Sequence, residues 1–234
     1  SGGFNKAKTS AAALGGAMGG LASRLISFAK HPLTLVAAGI ASVVAGFKAA
    51  LRVAEGFSRS ISRLEAISGA TGDNLNALKQ NAEDLGKSTQ FTAAQVADAQ
   101  TELAKMGFTT TGILNATSGA LDLAVASGIE MAEAAEIMAS TLNGFGLETA
   151  EATRVTDVMA KSFVTSALDA EKYRESMKLI APIAKSVKVS LEEASAATAV
   201  LADVGISGSL AGTQLRRILS DLAVTTGKDF RTSL

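Results

Sequence analysis

Residues 92–124 read TAAQVADAQTELAKMGFTTTGILNATSGALDLA. About four turns of Ala-rich amphipathic sequence run to Gly107, apolar Phe108 follows, and a short polar stretch leads into a second helix. The unit recurs from Ile129 (IEMAEAAEIMASTLN, then GF, then GLETAEATRVTDVMA) and from Ser190 (SLEEASAATAVLADV, then GI, then SGSLAGTQLRRILSDL). The predicted hinges are therefore Gly107 and Phe108, Gly144 and Phe145, and Gly205 and Ile206. Repetition of one supersecondary unit points to architecture rather than chemistry, because such units stack and bury their apolar faces on one another. Three loosely spaced copies predict a compact bundle of helical hairpins rather than a long solenoid.

Composition agrees with an all-α chain. Ala and Gly dominate a 47% apolar fraction, aromatics are 4%, and two prolines interrupt 234 residues. Alanine is the strongest helix former. The absence of cysteine excludes disulfides, thiolate nucleophiles and Cys-ligated zinc. Formal net charge is zero, yet residues 1–64 hold eight of the 22 basic residues and one of the 22 acids, Glu55. A basic head thus precedes an acidic helical body, and its charge suits an anionic surface or partner. A chain that lacks an initiator Met and stops within a segment is expected to belong to something longer.

Three regions follow from these patterns. Residues 1–46 are a Gly/Ala-rich, basic, apolar segment. Within them, HPLTLVAAGIASVVAGF at 31–47 carries no formal charge, and Leu33, Leu35, Val36, Ile40, Val43 and Val44 are its candidate membrane-active residues. Residues 47–87 hold a coiled-coil-like helix and a connecting helix. Phe47, Ala50, Ala54, Phe57, Ile61 and Leu64 fall at alternating a and d positions and form a candidate oligomer seam; one amphipathic helix packed on its own chain has the same spacing. Residues 88–234 form the hairpin core. Thr92 with Gln95 and Ser190 with Glu193 match the capping box, and Asp169 and Asp73 are expected N-caps. Gly86 is expected to end a helix, Pro182 to kink or end another near Ile180, and Arg216 and Arg217 to sit late in theirs.

Catalytic patterns are weak. NAEDLGKST at 81–89 imitates a phosphate loop, but Asn81 stands where glycine is required and a helix precedes it. His31 is the single histidine. The pairs Glu192/Glu193 and Glu133/Glu136 lie on solvent faces, and Met106, Met131, Met138, Met159 and Met177 occupy apolar helical positions that fill core gaps. No catalytic, metal or cofactor residues are assigned, and no enzyme is expected. The basic head offers at most nonspecific contact with DNA.

The ordered motifs LAKMGF (103–108), LDLA (121–124), the Gly128 to Ile137 stretch with AAEI, LNGFGL (142–147) and Glu151 to Asp157 resemble the core region of phage tail tape measure proteins. LADVGISGSLAGTQLRRIL (201–219) resembles the same family. The likeness covers roughly residues 60–230. It implies a virion component, made in the host bacterial cytoplasm, that lies in the lumen of the tail tube and sets tail length. It also implies self-association as a homotrimer, contact with tube subunits, docking to tail-tip or baseplate hub proteins, and help for DNA across the host inner membrane. The rival from another class is a membrane-active, pore-forming protein using residues 10–47.

Overall fold

The computed structural model describes residues 34–232, with side chains for residues 45–224. Among the described residues the fold is all α: nine α-helices, one 3-10 turn and no strand. The helices are α1 (Thr34–Ser68), α2 (Gly72–Ser88), α3 (Ala93–Lys105), α4 (Thr110–Ser127), α5 (Met131–Phe145), α6 (Ala152–Thr165), α7 (Ala170–Val187), α8 (Leu191–Asp203) and α9 (Gly208–Thr232), with the 3-10 turn Thr149–Glu151 before α6. Contacts divide the chain into two units, Ser1–Glu55 and Gly56–Leu234. The described part of the first is the N-terminal stretch of α1.

In the second unit each helix from α2 onward packs on the next but one, and most also pack on the next. Helices α3, α5, α7 and α9 follow one another in one layer, and α2, α4, α6 and α8 in the other. Side-chain links join equivalent points of successive repeats. Asn143 Nδ2 donates to the Met106 carbonyl at 3.1 Å, Thr156 Oγ1 to the Gly119 carbonyl at 3.1 Å, and Ser176 Oγ to the Gly208 carbonyl at 2.8 Å. The hairpins begin at Ala93, Met131 and Ala170, and α9 opens the next. The third sequence unit, from Ser190, is therefore out of phase: it joins α8 of one layer to α9 of the other. The missed hairpin is α7 with α8.

The turns explain the Gly–apolar signature. At four helix ends a residue in the left-handed region is followed by an apolar one, and two N–H groups return to the last carbonyls. Phe108 N–H bonds Leu103 O at 3.2 Å, Leu147 bonds Leu142 at 2.9 Å, Val189 bonds Ala184 at 2.9 Å, and Ile206 bonds Leu201 at 2.8 Å. This is the Schellman closure, in which the left-handed residue releases carbonyls that the following amide satisfies. Gly107 and Gly205 hold the left-handed position at two of these ends. In the second unit the pivot is Gly146 with Leu147, two residues beyond the expected pair. Gly144 and Phe145 remain helical, because Gly144 is needed for contact: a Cβ there would stand 2.7 Å from Ala181 Cβ on α7. The fourth pivot is Lys188, at φ 61°, with no glycine to announce it.

Other helix ends correct the sequence reading. Gly86 lies inside α2, which continues to Ser88, because its bare Cα lets Ala93 approach; a Cβ would meet the Ala93 nitrogen at 2.5 Å. Asp73 sits in the first turn of α2, while the N-cap position is Thr71. Pro182 neither ends nor breaks α7, which runs to Val187. Its missing N–H would have bonded the carbonyl of Lys178, and both residues are exposed, so no buried acceptor is stranded. Arg216 and Arg217 fall in the first half of α9, because that helix extends to Thr232. The capping boxes at Thr92/Gln95 and Ser190/Glu193 form, and the Asp169 carboxylate accepts from Lys172 N–H at 2.8 Å.

The core follows from composition. Alanines on α3 through α8, such as Ala97, Ala120, Ala135 and Ala184, are buried beside Leu103, Ile113, Leu123, Ile137, Met138 and Leu142. Each alanine removes little area from water, so the helices come close and gain by dispersion and hydrogen bonding instead. Met131, Met138, Met159 and Met177 are buried among them. The single tyrosine, Tyr173, is fully buried, meets Phe163 edge-on with centroids 5.5 Å apart, and shares a 3.0 Å hydrogen bond with Ser195 Oγ. Burial pushes its hydroxyl well above the ordinary tyrosine range.

Candidate functional site

The features of this chain that reach outward are surfaces. Phosphate-loop geometry is absent from 81–89, where Gly86, Lys87 and Ser88 form the last turns of α2. The glutamates have other work. Glu192 and Glu151 pair with Arg154, which ties α6 to α8. Glu193 closes the α8 capping box, where the Ser190 N–H and hydroxyl hold its carboxyl below the usual range. The hydrogen bond from Arg154, reinforced by the Glu148 backbone, does the same for Glu151. Glu136 stands 4.0 Å from Arg174 across α5 and α7. At Asp169 partial burial works against the charge, but bonds from Lys172 outweigh it and the carboxyl is lowered. Among the described residues no group of three or more His, Cys, Asp or Glu side chains is placed to hold a metal.

A surface groove of about 490 Å³ runs between α5 and α7, with Met106, Thr141, Gly144, Arg174 and Pro182 among its walls. Its floor is the close approach of Gly144 to Ala181. The groove thus follows from packing two helices through small residues.

The expected seam on α1 is divided. Leu64 is fully buried, and Phe57 and Ile61 pack against the core of the second unit. Arg63 stands 4.0 Å from Asp98 of α3. Toward the N-terminus Phe47 is half-buried, while Ala50 and Ala54 are exposed. The hinge residues Phe108 and Phe145 reach the core, whereas Ile206 is half-buried at the turn into α9. Of the membrane-active set, Leu33 lies outside the described residues, as do the side chains of Leu35, Val36, Ile40, Val43 and Val44, although α1 begins at Thr34. Among the described residues no helix is long and apolar enough to cross a membrane.

The sequence places a helix at α9, but the apolar residues on its outer face were not singled out. It exposes Leu210, Ile218, Leu222 and Val224. The signal for it was present, as leucine and isoleucine at three- and four-residue spacing in LRRILSDL.

Known proteins resemble this chain over the stacked helices. The family model of phage-related minor tail proteins matches residues 79–232, from within α2 to the end of α9. The tape measure protein of Pneumococcus phage Dp-1 is 43% identical over 182 residues, which cover 77% of this chain and 16% of that protein. The probable tape measure protein of Escherichia phage P2 is 32% identical over 197 residues, 82% of this chain and 24% of that protein. The chain therefore spans less than a quarter of the length of these relatives. No solved structure matches it. With the model match spanning the helical stack, the chain belongs to the phage-related minor tail protein family, among the tape measure proteins of phage tails.

Proposed function

We propose that this chain is a structural, non-enzymatic part of a tape measure protein that lies in the tail lumen, helps set tail length, and docks to the tail-tip or baseplate proteins as a homotrimer. The observation that carries the reading is the family match across the helical stack. An extended helix advances ~1.5 Å per residue, so the 35-residue α1 is roughly 50 Å long. The stack is a poorer ruler. Its α3–α8 helices are 13 to 18 residues long and fold back on one another, so many residues contribute little length. Length measurement therefore suits extended helical segments, and the stack suits a docking role at one end of the tail.

Internal deletion tests this division of labour. Removal of residues 88–225 from the whole tape measure protein is expected to abolish tail assembly. Tails that are otherwise normal and shorter in proportion to the residues removed would show that the stack is ruler rather than dock.

A further inference from the structure

We propose that the boundary between α5–α6 and α7–α8 is a hinge, at which the stack bends as two rigid halves, α2–α6 and α7–α9. The device changes the curvature of the stack without unfolding a helix.

The repeat shows what is missing there. Asn143 is the thirteenth residue of α5 and Thr156 the fifth of α6, and both donate to backbone carbonyls thirty-seven residues earlier, in the first hairpin. The matching positions of α7 and α8 hold Pro182 and Ser195. Pro182 has no side-chain donor. The Ser195 hydroxyl pairs with Tyr173 of its own hairpin at 3.0 Å. Among the described residues the polar links from α5 or α6 to α7 or α8 are two ion pairs, Arg154 with Glu192 and Glu136 with Arg174, and all four side chains are more than a third exposed. Such pairs are weak, are screened by salt, and part without stranding a buried group. The next boundary has a buried link again, from Ser176 to the Gly208 carbonyl at 2.8 Å.

Packing is thin at the same boundary. The 490 Å³ groove lies between α5 and α7. A second, of about 440 Å³, lies between α6 and α8 and is lined by Val158, Ser162, Thr165, Ser195, Ala199 and Val200. A third, of about 230 Å³, lies at the turns, with Leu147 on one side and Val189 on the other. Side chains that line a void lose contacts there, so the two faces hold each other less firmly. The pivot is the close approach of α5 to α7, where a Cβ on Gly144 would stand 2.7 Å from that of Ala181. The chain itself crosses at residues 166–169. Ala167 N–H is held by Asp203 of α8 at 2.8 Å and its carbonyl by Lys172 of α7 at 3.2 Å, so this link belongs to the second half and the chain turns at Ser166. The edge-on contact of Phe163 with Tyr173 lies beside the link, where bending displaces it least.

Pulsed electron–electron double resonance on the full chain tests the hinge, because the sequence contains no native cysteine. Spin-labelled chain is diluted into unlabelled chain, so that only distances within one molecule are read. Exposed Lys87, Val164 and Val204 stand at the C-terminal ends of α2, α6 and α8. Lys87→Cys with Val164→Cys spans the first half alone, and Lys87→Cys with Val204→Cys spans the boundary. The second pair is expected to give a distance distribution at least twice as broad as the first, and one that narrows when Pro182→Asn restores the donor. Equal widths overturn the hinge, whether both are narrow or both broad. A broad second pair that Pro182→Asn leaves unchanged overturns it as well.

Discussion

Two residues show opposite uses of glycine. Lys188 closes α7 in the left-handed region, a conformation that disfavours a Cβ, and its side chain is exposed. Lys188→Gly is expected to stabilise the chain by about 0.5–1 kcal/mol, the relief of left-handed strain less the greater freedom of an unfolded glycine. Urea unfolding measures it, and a lower midpoint contradicts the account of this turn. Gly144 lies within α5, where alanine would gain about 1 kcal/mol in helix propensity. Its Cβ, however, would enter space held by Ala181 Cβ, and separating packed helices costs about 1–3 kcal/mol. Gly144→Ala is therefore expected to lower the midpoint, and a raised one would show that α5 and α7 do not meet there. The sequence reading took Gly144 for a hinge because GFG offers two glycines. Only the packed structure tells the contact glycine from the turning one, Gly146.

At the scale of the helix, most start signals were legible, Asp73 excepted, and the stop signals were partly hidden. Thr92/Gln95, Ser190/Glu193 and Asp169 act within three residues of themselves, so local sequence determines them. Stops depend on neighbours. Gly86 and Pro182 look like terminators, yet one serves the approach of α3 and the other sits on an exposed face. Lys188 ends a helix without looking like a terminator, which is why the hairpin α7–α8 escaped the repeat pattern. The caps also carry a pH dependence. Glu193, Glu151 and Asp169 have carboxyl groups held below their ordinary values in the folded chain. A depressed carboxyl contributes stability above the unfolded value, about pH 4, and loses it as pH falls through the folded one. Glu193→Gln keeps the box but does not titrate. Between pH 6 and pH 3 the unmodified chain should therefore lose more of its urea midpoint than Glu193→Gln; equal losses would mean that Glu193 is not charged in the cap. Ser190→Ala should cost about 1 kcal/mol at neutral pH, read from the same midpoint.

At the scale of the molecule, the all-α class and the family were both legible: the first from alanine content and helical spacing, the second from ordered motifs such as LAKMGF and LDLA. The two-layer order was not, because it depends on which faces meet, and small Ala, Ser and Thr residues serve on almost any face. Half of the α1 heptad illustrates the same limit: Phe57, Ile61 and Leu64 have the spacing of an oligomer seam and are used against the chain's own core. The central claim is that these stacked helices form an assembly element at one end of the tail interior. Cryo-electron microscopy of the intact tail particle tests it most directly. The account predicts three copies of the α2–α9 stack as density inside the tube, beside the tip or baseplate proteins; density outside the tube, or spread evenly along its length, would contradict it.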